Sequence, residues 1–70
     1  MPFMLLLPNH TYCITDICAE EIGRFENMGL TVNTIIKVKH ILWLGGPIVI
    51  EIHGRLIALR KREIECLKLQ

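Results

Sequence analysis

A stop signal at Gly29 ends the one convincing helix of this chain, and most of what lies outside that helix carries the two-residue period of β-strands. Within Ala19 to Met28, the residues Ile22, Phe25 and Met28 recur every three positions and define an apolar stripe. Glu20 and Glu21 occupy the first turn, where the helix dipole favours negative charge. Glu20 stands four residues ahead of Arg24, the favourable order for an ion pair on a helix surface. Gly29 suits the left-handed position that follows a last helical residue, and Leu30 can fold back as the apolar contact that closes the cap.

The strands are read from alternation and from turn residues. Pro8-Asn9-His10 marks a turn. Tyr12 to Ile17 is rich in β-branched and aromatic residues and predicts a first strand. Ile35 to Ile41 predicts a second, with Ile36 and Val38 on one face and Lys37 and Lys39 on the other. After the turn Leu44-Gly45-Gly46-Pro47, the segment Ile48 to His53 alternates Ile48, Ile50 and Ile52 against Val49, Glu51 and His53. Gly54-Arg55 is a tight connection, and Leu56 to Arg60 returns as the partner strand. Lys61 to Glu65 reads as a short helical turn, and Cys66 to Leu69 as a closing strand. The expected fold is mainly β: a five-stranded barrel with one short α-helix inserted between the first and second strands. Closure into a barrel would hide the strand edges that otherwise invite aggregation.

Seventy residues leave room for one small domain, 1–70, whose core must be dense to hold it together. The 51% apolar content meets that demand and argues against disorder. The formal charge of +1 lacks the strong basic excess that phosphate binding calls for, and the cluster Arg60-Lys61-Arg62 is blunted by Glu63 and Glu65. Nucleic acid is therefore not the expected partner. Three cysteines, Cys13, Cys18 and Cys66, are an odd count and do not make a disulfide framework; free thiols packed as small hydrophobes are expected. The apolar run Phe3 to Leu7 is far shorter than the about 20 residues that span a bilayer, and it lacks the marks of a signal peptide. A cytoplasmic protein, peripheral to a membrane only through a partner, is the expectation.

Three stretches together resemble the ferrous iron transport protein A (FeoA) family. Arg24-Phe25-Glu26-Asn27-Met28-Gly29-Leu30-Thr31 is similar to the family's helix end, although Val32-Asn33 stands where Pro-Gly is usual. Leu44-Gly45-Gly46-Pro47-Ile48 is similar to its central turn. Gly54-Arg55-Leu56-Ile57-Ala58-Leu59-Arg60 is similar to its last hairpin. The resemblance covers about Tyr12 to Leu69. It implies an SH3-like barrel and a role beside the membrane ferrous-iron transporter FeoB, whose cytosolic part contains a GTP-binding domain.

Enzyme signatures are missing. There is no phosphate loop, no nucleophile elbow and no pair of histidines on one helix face. The chain has no Ser, and Asp16 is its single Asp. A Cys13–His10 pair has no third group at a recognisable spacing to orient it. No catalytic residue and no cofactor are expected. The metal reading that the residues allow is a weak surface site for Fe(II) or Zn(II). Its candidate ligands are Glu51 and His53, two apart on one strand face, with Cys13 and His10 as further candidates. A solvated polar strand face is the competing reading. Ile41-Leu42-Trp43-Leu44 is more informative, since alternation cannot bury four consecutive large apolar residues. Leu42, Trp43 and Leu44 are the candidate partner-binding residues, Trp being favoured at binding hot spots; Trp43 as a lid on the barrel mouth is the alternative. Arg24 is a further candidate for partner contact, because a GTPase partner could use a guanidinium at its phosphates; a surface pair with Glu20 competes with it. The expected function is an accessory protein that binds and modulates a FeoB-type GTPase-permease. A transition-metal-responsive dimerising module is the alternative, and self-association is compatible with both.

Overall fold

In a computed structural model that describes residues 6–42 and 46–70, five strands form one antiparallel sheet in the order β4-β3-β2-β1-β5. The strands are β1 (Thr11–Ile17), β2 (Ile35–Ile41), β3 (Ile48–Ile52), β4 (Arg55–Leu59) and β5 (Leu67–Leu69). A 3-10 turn at Ala19–Glu21 leads into α1 (Ile22–Asn27) between β1 and β2, and α2 (Lys61–Glu65) joins β4 to β5. Residues from both ends of the sheet share one core: Ile14, Ile17 and Leu67 pack in the same cluster as Ile48, Ile50, Ile52 and Leu59. Only a curled sheet can bring them together, and α2 bridges its two edge strands.

Alternation sets the core, and two bulges tune it. In β3, Ile48, Ile50 and Ile52 point inward while Val49 and Glu51 are half-buried. In β2, Ile36 and Val38 are fully buried, as expected. The β2–β3 register then slips between Val38 and His40, leaving Lys39 as the extra residue of a bulge. That extra residue turns Ile41 inward, opposite Ile48, and it packs against the core. The adjacent polar pair Lys39-His40 is the mark of the slip in the sequence. β1 does the same between Ile14 and Asp16 against β5, and there the Thr15 hydroxyl donates to the Lys68 carbonyl at 3.1 Å.

The helix stop behaves as its sequence predicts. Gly29 has φ +88, its N–H donates to the Glu26 carbonyl at 2.9 Å, and the Leu30 N–H donates to the Phe25 carbonyl at 2.9 Å. These are the two bonds of a Schellman cap, and Leu30 is fully buried beneath it. Gly29 is also constrained from outside, since a Cβ there would lie 2.8 Å from Arg55 Nη2. The Arg55 guanidinium donates to the Met28 carbonyl at 3.2 Å, placing a cation at the negative end of the helix. Asn33, with φ 77, takes the left-handed position of the Thr31–Thr34 turn that Gly often fills.

Three expectations are corrected. The predicted helix is split, because its first turn winds as a 3-10 segment. Of its apolar stripe, Phe25 is fully buried, Met28 is half-buried and Ile22 remains 42% exposed. The tight connection between β3 and β4 is His53-Gly54 rather than Gly54-Arg55: Ile52 pairs with Arg55, and both loop residues have positive φ, 48 and 81. Two left-handed residues make a type I′ turn, whose twist matches the flanking strands. His53 therefore leaves the strand, and the premise that put it on one face with Glu51 does not hold.

Candidate functional site

Two helices of five and six residues carry little stability of their own, so they are held by what they pack against. α1 is pinned by Phe25 and α2 by Ile64, both in the core. Between them lies a cleft of about 380 Å³ lined by Glu21, Arg24, Phe25, Arg60, Arg62, Glu63 and Cys66. Its centre is Arg24. The guanidinium donates to Glu21 Oε1 at 2.8 Å and to Glu63 Oε2. The predicted Glu20 pair is thereby replaced. The 3-10 geometry ahead of α1 brings the residue three before Arg24, not four, to its side, and the second carboxylate comes from α2. Glu63 also accepts the Arg60 N–H at 2.8 Å through its other oxygen, so one carboxylate caps α2 and ties it to α1. That side chain is mostly buried, at 15% exposure, while Arg24 stays 54% exposed.

The cleft opens into a shallower basic depression lined by Arg24, Pro47, Ala58, Arg60, Lys61, Arg62 and Glu63. Pro47 also accepts the Leu42 N–H at 3.2 Å, across the base of the β2–β3 connection. Leu42 is 49% exposed. Pro47 thus links two sequence candidates indirectly: it lines the depression with Arg24 and is hydrogen-bonded to Leu42. Trp43 and Leu44 lie outside the described residues. A second groove, lined by Asp16, Ile17, Ile22, Glu26, Thr31 and Val32, lies along α1.

The candidate metal ligands are scattered. His10 Nδ1 is 3.1 Å from the Pro8 carbonyl, and the Cys13 thiol faces the Ile14 carbonyl at 3.8 Å. Glu51 sits 3.7 Å from Lys39 Nζ, and exposed His53 forms the turn beyond it. Among the described residues no three His, Cys, Asp or Glu side chains converge on one point, and no helix is long and apolar enough to cross a membrane. The sequence reading missed the Glu63 contact with Arg24, which spans 39 residues, and the meeting of Cys18 with Cys66. The Cys18 N–H donates to the Cys66 carbonyl at 2.9 Å. The Cys66 thiol is pushed up to about 11, first by its hydrogen bond with Cys18, then by burial, by the Cys18 charge, and by Glu21 and Glu20.

Comparison with known proteins supplies a context for this surface. A family model described as the FeoA domain matches residues 1–70. No curated protein matches the chain. Among solved structures, iron(II) transport protein A from Clostridium thermocellum is 30% identical, with a TM-score of 0.83 over 93% of this chain. This chain spans 41% of that one. A protein from Pseudomonas aeruginosa is 31% identical, with a TM-score of 0.74 over 91% of each chain. The FeoA protein from Chlorobium tepidum is 25% identical and superposes over 100% of this chain and 69% of its own, with a TM-score of 0.83.

Proposed function

The chain belongs to the FeoA domain family, which is associated with ferrous iron transport, and from that premise we propose that it serves such transport as a cytoplasmic accessory protein without catalysing a reaction. Its partner is the cytosolic GTPase region of a FeoB-type transporter, and it acts by binding one conformation of that region better than another. A ligand moves an equilibrium only by its difference in affinity between the two states.

The observation that carries this reading is a basic depression lined by Arg24, Arg60 and Arg62, whose rim residue Pro47 is hydrogen-bonded to half-exposed Leu42. Half-exposed Leu42 leads into Trp43 and Leu44, and it stands beside a depression rich in arginine. An apolar anchor rimmed by cations fits a protein surface that offers a pocket edged with carboxylates. Arg24 belongs to the rim. Both of its terminal nitrogens already hold carboxylates, so reaching a partner's phosphate would require it to release Glu21 and Glu63 first.

Capture of the transporter's purified cytosolic region, in metal-free buffer, tests the proposal. The intact chain is expected to bind. Leu42→Ala and Trp43→Ala are expected to weaken binding by about tenfold or more, the usual loss at a hot spot, while melting temperature stays close to that of the parent. A large fall in melting temperature with unchanged affinity would remove these residues from the contact surface.

A further inference from the structure

The three cysteines of the chain have unlike surroundings. β1 and β5 run antiparallel with Asp16 opposite Lys68 and Ile17 opposite Leu67. Just past the end of that ladder, where Cys66 caps α2, the Cys18 N–H donates to the Cys66 carbonyl at 2.9 Å, and this bond holds the two cysteines side by side. A backbone N–H···O=C bond between two residues keeps their Cα atoms within about 6 Å of each other. A disulfide spans about 4.4–6.8 Å between Cα atoms. Both cysteines are reduced and half-buried, so each remains open to small reagents. Cys13 differs. It faces Ile35 on β2 and exchanges backbone hydrogen bonds with Gln70 on its other side, so no cysteine stands opposite it.

We propose that Cys18 and Cys66 form a dithiol modification site that closes to an intramolecular disulfide by exchange with a small organic disulfide such as glutathione disulfide. The chemistry balances in two steps. The Cys18 thiolate attacks one sulfur of the reagent; its S–S bond breaks, and the first thiolate leaves and takes up a proton. The mixed disulfide on Cys18 is then attacked by Cys66, which gives its proton to solvent, and the second thiolate leaves. Two protein thiols are oxidised and one reagent disulfide is reduced to two thiols. Cys66 holds its proton more tightly than an ordinary thiol because Cys18 is hydrogen-bonded to it, which suits it to the second, resolving step. The bond would join the residue that precedes the 3-10 turn to the residue that ends α2, beside the cleft that holds Arg24. This site is independent of the transporter partnership proposed above.

Incubation of the full chain with glutathione disulfide, followed by thiol counting and peptide mapping by mass spectrometry, tests the proposal. The expected product is a monomer with one free thiol in place of three, and with Cys18 linked to Cys66. Cys13→Ser keeps the pair and should give the same link with no free thiol. Cys18→Ser and Cys66→Ser should each give only mixed disulfides with glutathione. If the parent and the Cys13→Ser chain, both shown to be folded by circular dichroism, carry glutathione on separate cysteines or form linked dimers instead, the proposal is overturned.

Discussion

The two halves of the sheet are built on different scales of chain. The β2–β3–β4 meander, Ile35 to Leu59, pairs each strand with its neighbour in sequence through short connections. The β1–β5 seam pairs Ile14 with Leu69 and Ile17 with Leu67, close to the two ends of the chain. Both halves bury isoleucines to 0% exposure, Ile50 in the meander and Ile14 at the seam. Their packing is alike, but the loop that must close before the packing is gained is far longer at the seam. Closure entropy grows with loop length, so the meander can form early while the seam waits. Folding order is thus separable from stability in this molecule.

That separation is open to test, and the largest effects come first. Ile50→Ala and Ile14→Ala should each cost about 2–5 kcal/mol, a large part of the stability of a domain this small. Equilibrium denaturation will therefore not tell the halves apart. Kinetics will. The milder Ile50→Val and Ile14→Val should each cost about 0.5–1.5 kcal/mol. Stopped-flow chevrons should show Ile50→Val slowing folding and Ile14→Val chiefly speeding unfolding. Equal partition of the two losses between folding and unfolding would break the distinction.

The contact between the halves is sharpened by Gly29, where the α1 cap touches β4. The left-handed backbone there costs a non-glycine residue about 1–2 kcal/mol, and a methyl group would also displace the Arg55 guanidinium from the Met28 carbonyl. Gly29→Ala should lower stability by about 1–3 kcal/mol. Combining it with Arg55→Ala should cost less than the sum of the two, because the second change removes the group the methyl collides with. Strict additivity would mean that the close approach carries no energy of its own.

The same division of scale explains what the sequence could disclose. β2 runs Ile35–Ile41 as alternation predicts, and the Gly29-Leu30 cap forms as its residues predict, because both depend on neighbours within a few positions. His53 was misread because alternation with Glu51 continued one residue past the strand; the signal for a turn was His followed by Gly, since His tolerates left-handed backbone better than most. Leu42 and Arg24 could be picked out singly, as an excess apolar residue and a lone helix cation, but Pro47, which bonds the one and shares a depression with the other, is placed by how the sheet curls. The Arg24–Glu63 pair and the Cys18–Cys66 pair depend on the β1–β5 register. Spacing alone carries no trace of that register, and a bulge at Thr15 shifts it by one residue.

The smallest expected effect isolates the seam by pH. The Cys66 thiol is raised from an ordinary value of 9.0 to about 11, chiefly by its hydrogen bond with Cys18. The folded chain therefore holds that proton more tightly than the unfolded chain does. The stability this contributes is fully present below about pH 9 and is lost as pH rises through about 11. For a half-exposed thiol its size is about 1 kcal/mol. Cys18→Ala removes the leading cause, so the variant should lose less stability than the parent between pH 9 and 11 under reducing conditions. Apart from the Cys18 thiol itself, the groups that titrate in that window are shared by both chains and cancel in the difference. Urea unfolding at a series of pH values measures that difference directly, and parallel curves for the two chains would mean that the thiols do not interact across the seam. Ile50→Val, placed in the meander, should run parallel to the parent throughout, because its cost has no protonation step.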